Sequence, residues 1–373
     1  MASPRLPRAA AAAFTAAAAA ALLALAPRAA YAKPTLVHGW DTALEAQFID
    51  YGYSVLTPAQ AANVAAHYAV ASLEKCTGPG PTEANVWATA AQLKAIKPSM
   101  KVLFYWDLDQ GALTCYAAHA EYMEHPEFWL RDDAGGLTFN SSDGVPHMDY
   151  TVAAARAWWV SVPLNGSGSP AAHLVDGVLA DGTGSRCPGS SAGGAGLSPA
   201  RCAALIAAKS VMVRQLQALL DATNGGSVLG NGLDMYPGGP ADQNLYTLAD
   251  MDGIMGEHFA VFESVRANGT LDADIVAQFI ADVATAAAMG KTVVVALWPG
   301  LCVTPFTSQG WPSWPGNSQP MTNDGWRAAL LDKHRFALAA FLTVAEANVF
   351  MQYEGWRVST GRLMRAIATA DRN

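Results

Sequence analysis

Carboxylates recur in this sequence directly after short apolar runs. Glu74 follows residues 68–73, Asp107 and Asp109 follow 102–106, Asp181 follows 175–180, Asp234 follows 227–233, Glu257 follows 251–255, and Glu354 follows 347–352. Trp106, Tyr236, His258, Trp298 and Trp356 stand beside them. Two carboxylates facing each other across a pocket are what cleavage of a glycosidic bond requires: one acts as nucleophile or base, the other protonates the leaving oxygen. Aromatic rings beside them give flat apolar surfaces for the C–H face of a sugar, while carboxylates accept hydrogen bonds from its hydroxyls.

Two of these acids share a local pattern. Asp176-Gly-Val-Leu-Ala-Asp181 and Asp252-Gly-Ile-Met-Gly-Glu257 each read as an Asp-Gly turn entering a buried strand, with an acid at the exit. Asp181 and Glu257 are therefore the candidate catalytic pair, whereas Asp176 and Asp252, at the strand starts, read as structural turn residues. Trp106, Asp107, Asp109, His258, Trp298 and Glu354 are the candidate substrate contacts. Glu127, Arg131, Asp132 and Asp133 read as loop-holding ion pairs, and Trp158 and Trp159 as packing on a helix.

Other chemistries lack their signatures. The G-x-S-x-G spacing occurs once, at Gly189-Ser-Ser-Ala-Gly193, inside the Gly/Ser-rich loop 188–198 and without the flanking strand and helix of a nucleophile elbow. No H-E-x-x-H pair occurs and no two cysteines stand as C-x-x-C, so the sequence predicts no metal and no cofactor. Two alternatives stay open: a carbohydrate-binding barrel without turnover, and another barrel chemistry such as a lyase or metal-dependent hydrolase.

The acids need a scaffold that brings strand ends together. The apolar runs alternate with helical stretches at 57–67, 81–96, 151–160, 199–222, 271–289 and 324–344, and such alternation predicts a parallel sheet. The further runs at 292–297 and, as the least certain first strand, at 36–40 or 51–56 bring the count to eight. Eight βα units without an internal linker predict a single-domain (β/α)8 TIM barrel, whose active site lies at the C-terminal ends of the strands. An open doubly wound sheet is the runner-up, but no Gly-rich phosphate fingerprint follows any strand.

Composition agrees with a large folded domain: 51% of the 373 residues are hydrophobic and only 14% charged, too apolar for disorder. The formal net charge of −8 argues against nucleic acid and anionic membranes as partners and leaves an oligo- or polysaccharide open. Residues 1–32 carry an arginine-bearing start, an Ala/Leu run and an Ala30-Tyr31-Ala32 end, the pattern of a cleaved secretory signal. The mature domain would be 33–373, exported to the extracellular space or the secretory lumen and not stably inserted in a membrane. In that oxidising setting Cys187–Cys202 and Cys76–Cys115 are the candidate disulfides, and Asn140, Asn165 and Asn268 the candidate glycosylation sites.

A resemblance adds to this reading. Phe104-Tyr-Trp-Asp107, Phe128-Trp-Leu-Arg-Asp132, Asp149-Tyr-Thr-Val152, Arg156-Ala-Trp-Trp159 and Asp176-Gly-Val-Leu-Ala-Asp181 together resemble the glycoside-hydrolase-like barrel families loosely related to the α-galactosidase and α-amylase group. The resemblance covers about residues 58–356. It implies a nucleophilic Asp at the end of strand four, matching Asp181, and an acid/base at the end of a later strand, matching Glu257. The chain departs in lacking the basic residue that many relatives carry just before the nucleophile, and in having Glu where the sixth-strand acid is commonly Asp.

Overall fold

The computed structural model describes residues 48–51, 55–73, 81–108, 114–139, 144–165, 174–184, 187, 196–223, 225–233, 250–259, 273–297, 335 and 338–353. For 48–51, 165, 258, 259, 297 and 353 the backbone alone is described. All belong to one compact unit, Thr35–Asn373. The expected signal segment, 1–32, lies outside the described residues.

Eight strands form one sheet in sequence order: β1 (Phe48–Tyr51), β2 (Val70–Leu73), β3 (Lys101–Asp107), β4 (Gly177–Asp181), β5 (Ser227–Asn231), β6 (Gly253–Phe259), β7 (Thr292–Leu297) and β8 (Val349–Tyr353). Every neighbouring pair is parallel, and β8 lies beside β1. The protein is a (β/α)8 barrel. Its connecting helices are α1 (Pro58–His67), α2 (Thr82–Ile96), a short α3 (Ala118–Met123), α4 (Ala153–Asn165), α5 (Pro199–Thr223) and α6 (Ala273–Ala288), with residues 338–342 also helical.

Local chemistry starts α1: Thr57 accepts the Gln60 N–H, the Gln60 side chain accepts the Thr57 N–H, and Pro58 takes the first turn. The two faces of the strands separate cleanly. Val70, Leu103, Leu179, Leu229, Val294 and Phe350 form the apolar filling inside the barrel. The alternate residues, such as Val102, Phe104, Val178 and Val228, pack outward with Trp87, Leu205 and Met212 of the helices. Alternation with period two is what lets one strand serve both layers.

Two expectations need correction. The first strand described is Phe48–Tyr51, which pairs residue for residue with the four of β2 and meets the expected 51–56 only at Tyr51; the other expected stretch, 36–40, lies outside the described residues. Strand six runs on from Gly253 to Phe259, with a shift in its pairing to β7 between Gly256 and Phe259. Glu257, expected at the exit of the strand, thus lies within its last three residues.

The repeated Asp-Gly pattern has one structural meaning in both copies. Asp176 exchanges backbone hydrogen bonds with Val102 of β3 and Ser227 of β5, and its carboxylate also accepts the Val102 N–H at 2.8 Å. Asp252 does the same between Val228 of β5 and Thr292 of β7, and accepts the Val228 N–H at 3.1 Å. The glycine that follows admits the next strand: a Cβ on Gly177 would stand 2.1 Å from the Ser227 carbonyl oxygen, and one on Gly253 2.4 Å from that of Thr292. These residues are pins at the base of the barrel, as the sequence suggested for Asp176 and Asp252.

Gly177→Ala must therefore push β4 and β5 apart. It is expected to cost about 3 kcal/mol or more and to lower the thermal midpoint by ~5 °C or more, read by calorimetry.

Candidate active site

Parallel register places the polar strand ends in a row. Asp107 on β3 is opposite Asp181 on β4, and Asp181 is opposite Asn231 on β5. Two residues earlier on each strand stand Tyr105, Leu179 and Leu229, all part of the barrel interior. The row therefore faces the barrel axis and caps the apolar filling. Glu257 lies two residues past Met255, the register partner of Asn231, so it occupies the same face one layer higher.

Hydrogen bonds join these groups. The Asn231 side-chain nitrogen donates to Asp181 Oδ1 at 2.9 Å and to Glu257 Oε2 at 2.7 Å. The two hydrogens of an amide nitrogen diverge by roughly 120°, which puts the two acceptor oxygens about 5 Å apart. Asp181 Oδ1 also accepts the Gly182 N–H at 2.8 Å, and the Tyr105 hydroxyl donates to Asp181 Oδ2. The same hydroxyl lies 3.5 Å from Asp107 Oδ2. Three donors on one carboxylate favour its ionised form. Asp107 itself is buried, and its backbone carbonyl accepts from Trp159 Nε1 at 2.9 Å.

The turn behind Asp181 is braced from the helix layer. Gly182 has φ of 72°, a left-handed conformation that glycine adopts without strain. Its carbonyl accepts from Lys209 Nζ at 2.9 Å. Lys209 is 1% exposed, and its ammonium sits 5.5 Å from the centre of the Tyr150 ring. The Tyr150 hydroxyl donates to the Leu108 carbonyl at 2.7 Å, and the Leu108 N–H donates to the Asp181 carbonyl at 3.0 Å. One buried lysine thus links the chain after Asp107 with the chain after Asp181.

The loop from β3 to α4 carries a small antiparallel patch, with Trp129 opposite Met148, Arg131 opposite Leu137 and Phe139 opposite Pro146. Asp133 accepts the Ser198 N–H at 2.7 Å and faces Arg201; the Ser198 hydrogen bond chiefly holds its carboxyl below the ordinary range. Cys187, beyond the exit of β4, is bonded to Cys202 on α5, with Cα atoms 5.4 Å apart, the pairing expected from the sequence. Cys115 is also disulfide-bonded; its expected partner, Cys76, lies outside the described residues.

The candidate residues divide as follows. Asp181, Glu257 and Asp107 come together. Trp106 does not join them: its odd-numbered neighbours face the axis, so its ring turns outward. It is 1% exposed, packs against Tyr116, Trp158 and Trp159, and donates from Nε1 to the Trp159 carbonyl at 3.1 Å. A ring closed into that layer offers no face to a sugar. His258 is on β6, where only its backbone is described. Glu74, Asp109, Asp234, Trp298 and Glu354 lie outside the described residues, as do the expected glycan sites Asn140 and Asn268; the Asn165 side chain is not described. Tyr105, Asn231 and Lys209 were missed by reasoning from acids and tryptophans. For Tyr105 and Asn231 the available signal was their parity with Asp107 and Asp181.

The structure is thus a parallel (β/α)8 barrel with Asp107, Asp181 and Glu257 gathered at its strand ends. The family described as Hypothetical glycosyl hydrolase family 15 matches residues 94–354, well over half the sequence, and the chain belongs to it. No curated protein matches. Solved structures with some likeness include an α-amylase from Lactobacillus plantarum, 12% identical over 83% of this chain and 71% of its own (TM-score 0.43). A pullulanase type I from Bacillus subtilis is 13% identical over 88% of this chain and 51% of its own (TM-score 0.48). A xylosidase from Aspergillus niger is 12% identical over 84% of this chain and 44% of its own (TM-score 0.47). The chain thus spans about half the length of the pullulanase.

The brace behind Asp181 has a measurable weight. Lys209→Ala removes a buried stem and leaves the Gly182 carbonyl without its cationic donor. It is expected to lower unfolding stability by about 2–4 kcal/mol, with Lys209→Met, which keeps the stem, recovering roughly half; urea denaturation read by tryptophan fluorescence measures both.

Proposed function

We propose that the protein is a secreted hydrolase of O-glycosidic bonds in an oligo- or polysaccharide, acting with retention of anomeric configuration through Asp181 and Glu257. The observation that carries this reading is the amide shared by the two acids. The two oxygens that share it are about 5 Å apart, closer to the ~5–5.5 Å between the carboxyl groups of retaining pairs than to the ~6.5–9.5 Å that leaves room for a water in inverting ones. The Cys187–Cys202 bridge supports an oxidising compartment, in keeping with the signal-like start of the sequence.

The reaction has two displacements. The Asp181 carboxylate attacks the anomeric carbon while Glu257 gives its proton to the departing glycosidic oxygen; the C–O bond breaks and a glycosyl ester forms on Asp181. Water then attacks the same carbon, Glu257 takes its proton, and the ester bond to Asp181 breaks. Hydrogen bonds from Tyr105, Gly182 and Asn231 keep Asp181 anionic and fixed for the first step and stabilise it again as leaving group in the second. Asp107, beside Asp181 in the row, is placed to bind a hydroxyl of the sugar being attacked. Asp109, His258, Trp298 and Glu354 remain proposed substrate contacts, from their positions at strand ends in the sequence.

The test is turnover of a panel of glycans and aryl glycosides by the wild type beside Asp181→Asn and Glu257→Gln, with the product anomer followed by proton NMR. Loss of ~10²-fold or more in both variants with folding intact is expected, and the first-formed anomer should match the substrate. An opposite first anomer would overturn retention. Equal glycan binding by all three proteins without turnover would identify a binding barrel instead.

A further inference from the structure

Asn231 ends β5 between two glycines that are there for close contact. A Cβ on Gly230 would stand 2.4 Å from Met251 Sδ and 2.5 Å from Thr183 Oγ1; one on Gly232 would stand 2.5 Å from Thr183 Oγ1 and 2.6 Å from the Gly184 nitrogen. The exit of β4 and the entry of β6 thus press on β5 on both sides of Asn231. The residue is 9% exposed, and its backbone has little room to move. Its side-chain nitrogen is a donor only, and its two hydrogens end on different acids, Asp181 Oδ1 and Glu257 Oε2.

We propose that Asn231 is the positioning residue of the acid pair: one amide nitrogen keeps Asp181 and Glu257 apart as separate acceptors and decides which oxygen of Glu257 carries the acidic proton. The inference rests on the catalytic roles proposed above for the two acids. Without a donor between them, two carboxyls about 5 Å apart would titrate as a coupled pair, each charge raising the cost of the other. A Glu257 proton drawn to the oxygen facing Asp181 would not point at a leaving group. The Asn231 N–H groups occupy the facing oxygens, so the Glu257 proton must sit on Oε1, the oxygen turned away from Asn231. Other titratable groups face the pair among the described residues: Tyr105 and Asp107 from β3, and Lys209 from α5 through the Gly182 carbonyl. Asn231 differs from them in donating to both acids.

The experiment is a carboxyl-carbon NMR titration of Asp181 and Glu257 in the full chain, wild type beside Asn231→Ala. The signals are assigned by their loss in Asp181→Asn and Glu257→Gln. The pH dependence of kcat and KM on the aryl-glycoside panel is measured in parallel. In Asn231→Ala the two midpoints are expected to separate by about one further pH unit as the acids become coupled. kcat should fall ~10- to 100-fold with KM within ~3-fold, and the pH–rate profile should shift with the midpoints. If that variant fails to fold, Asn231→Ser replaces it; a hydroxyl has one hydrogen, so one acid keeps its midpoint and the other moves. Midpoints and pH profile matching wild type within about 0.3 unit would overturn the proposal, even if Asp181→Asn and Glu257→Gln abolish turnover. Conversely, moved midpoints with turnover indifferent to Asp181→Asn and Glu257→Gln would uphold the division of the pair by Asn231 and sink their catalytic assignment.

Discussion

Like charges resist being brought together at the mouth of a low-dielectric barrel, and the site is organised around that repulsion. Asp107, Asp181 and Glu257 share one face at the ends of β3, β4 and β6, with Asn231 of β5 between the last two. Each ionised carboxylate there loses water, and each raises the cost of the next. Neutral donors offset this cost: a phenol from β3, an amide from β5 and the N–H of Gly182. Their aim depends on the strands keeping register to the residue, since a slip of one would turn every one of these side chains to the helix side.

Register in turn rests on the opposite end of the barrel. The Asp176 and Asp252 carboxylates each add a side-chain acceptor to the backbone pairing of the preceding strand, and the glycine after each lets the following strand close in. The same six-residue pattern therefore does two jobs. Its first two residues lock strands β3 through β7 together at the base, and its last presents an acid at the top. The number of residues between pin and acid sets the height of the acid, which is why β4 and β6 can deliver Asp181 and Glu257 to one pocket.

Much of this was legible in the sequence because it follows from periodicity. Alternating β and α stretches gave the barrel, and strand exits gave Asp107, Asp181 and Glu257. The differences share a cause: residue type and strand parity are separate signals, and a side chain reaches the pocket only when both agree. Trp106 has the right chemistry for a sugar platform but follows Tyr105 by one position, so it faces Trp158 and Trp159. Tyr105 and Asn231 have the right parity, but as uncharged residues they carry no acid signal. The Gly230-Asn231-Gly232 flank marks a crowded strand end, yet the crowding comes from Thr183 and Met251, distant in sequence. Lys209 was hidden within a helix whose apolar residues dominate; its partner, the Gly182 carbonyl, is a backbone atom that no side-chain pattern reports.

The choice of neutral donors over a cation fits the proposed chemistry. A lysine or arginine between Asp181 and Glu257 would relieve their repulsion more strongly than an amide, but it would also cancel negative charge where an oxocarbenium-like transition state develops positive charge. An amide and a phenol hold the acids in place and leave their net charge intact. The one buried cation described near the site, Lys209, is kept behind the wall: it braces the Gly182 carbonyl and lies against the Tyr150 ring, so its effect on Asp181 is exerted mainly through the geometry of the turn. On this view the negative field of the pocket is the functional quantity, and the hydrogen bonds from β3, β5 and Gly182 are what allow the fold to sustain it.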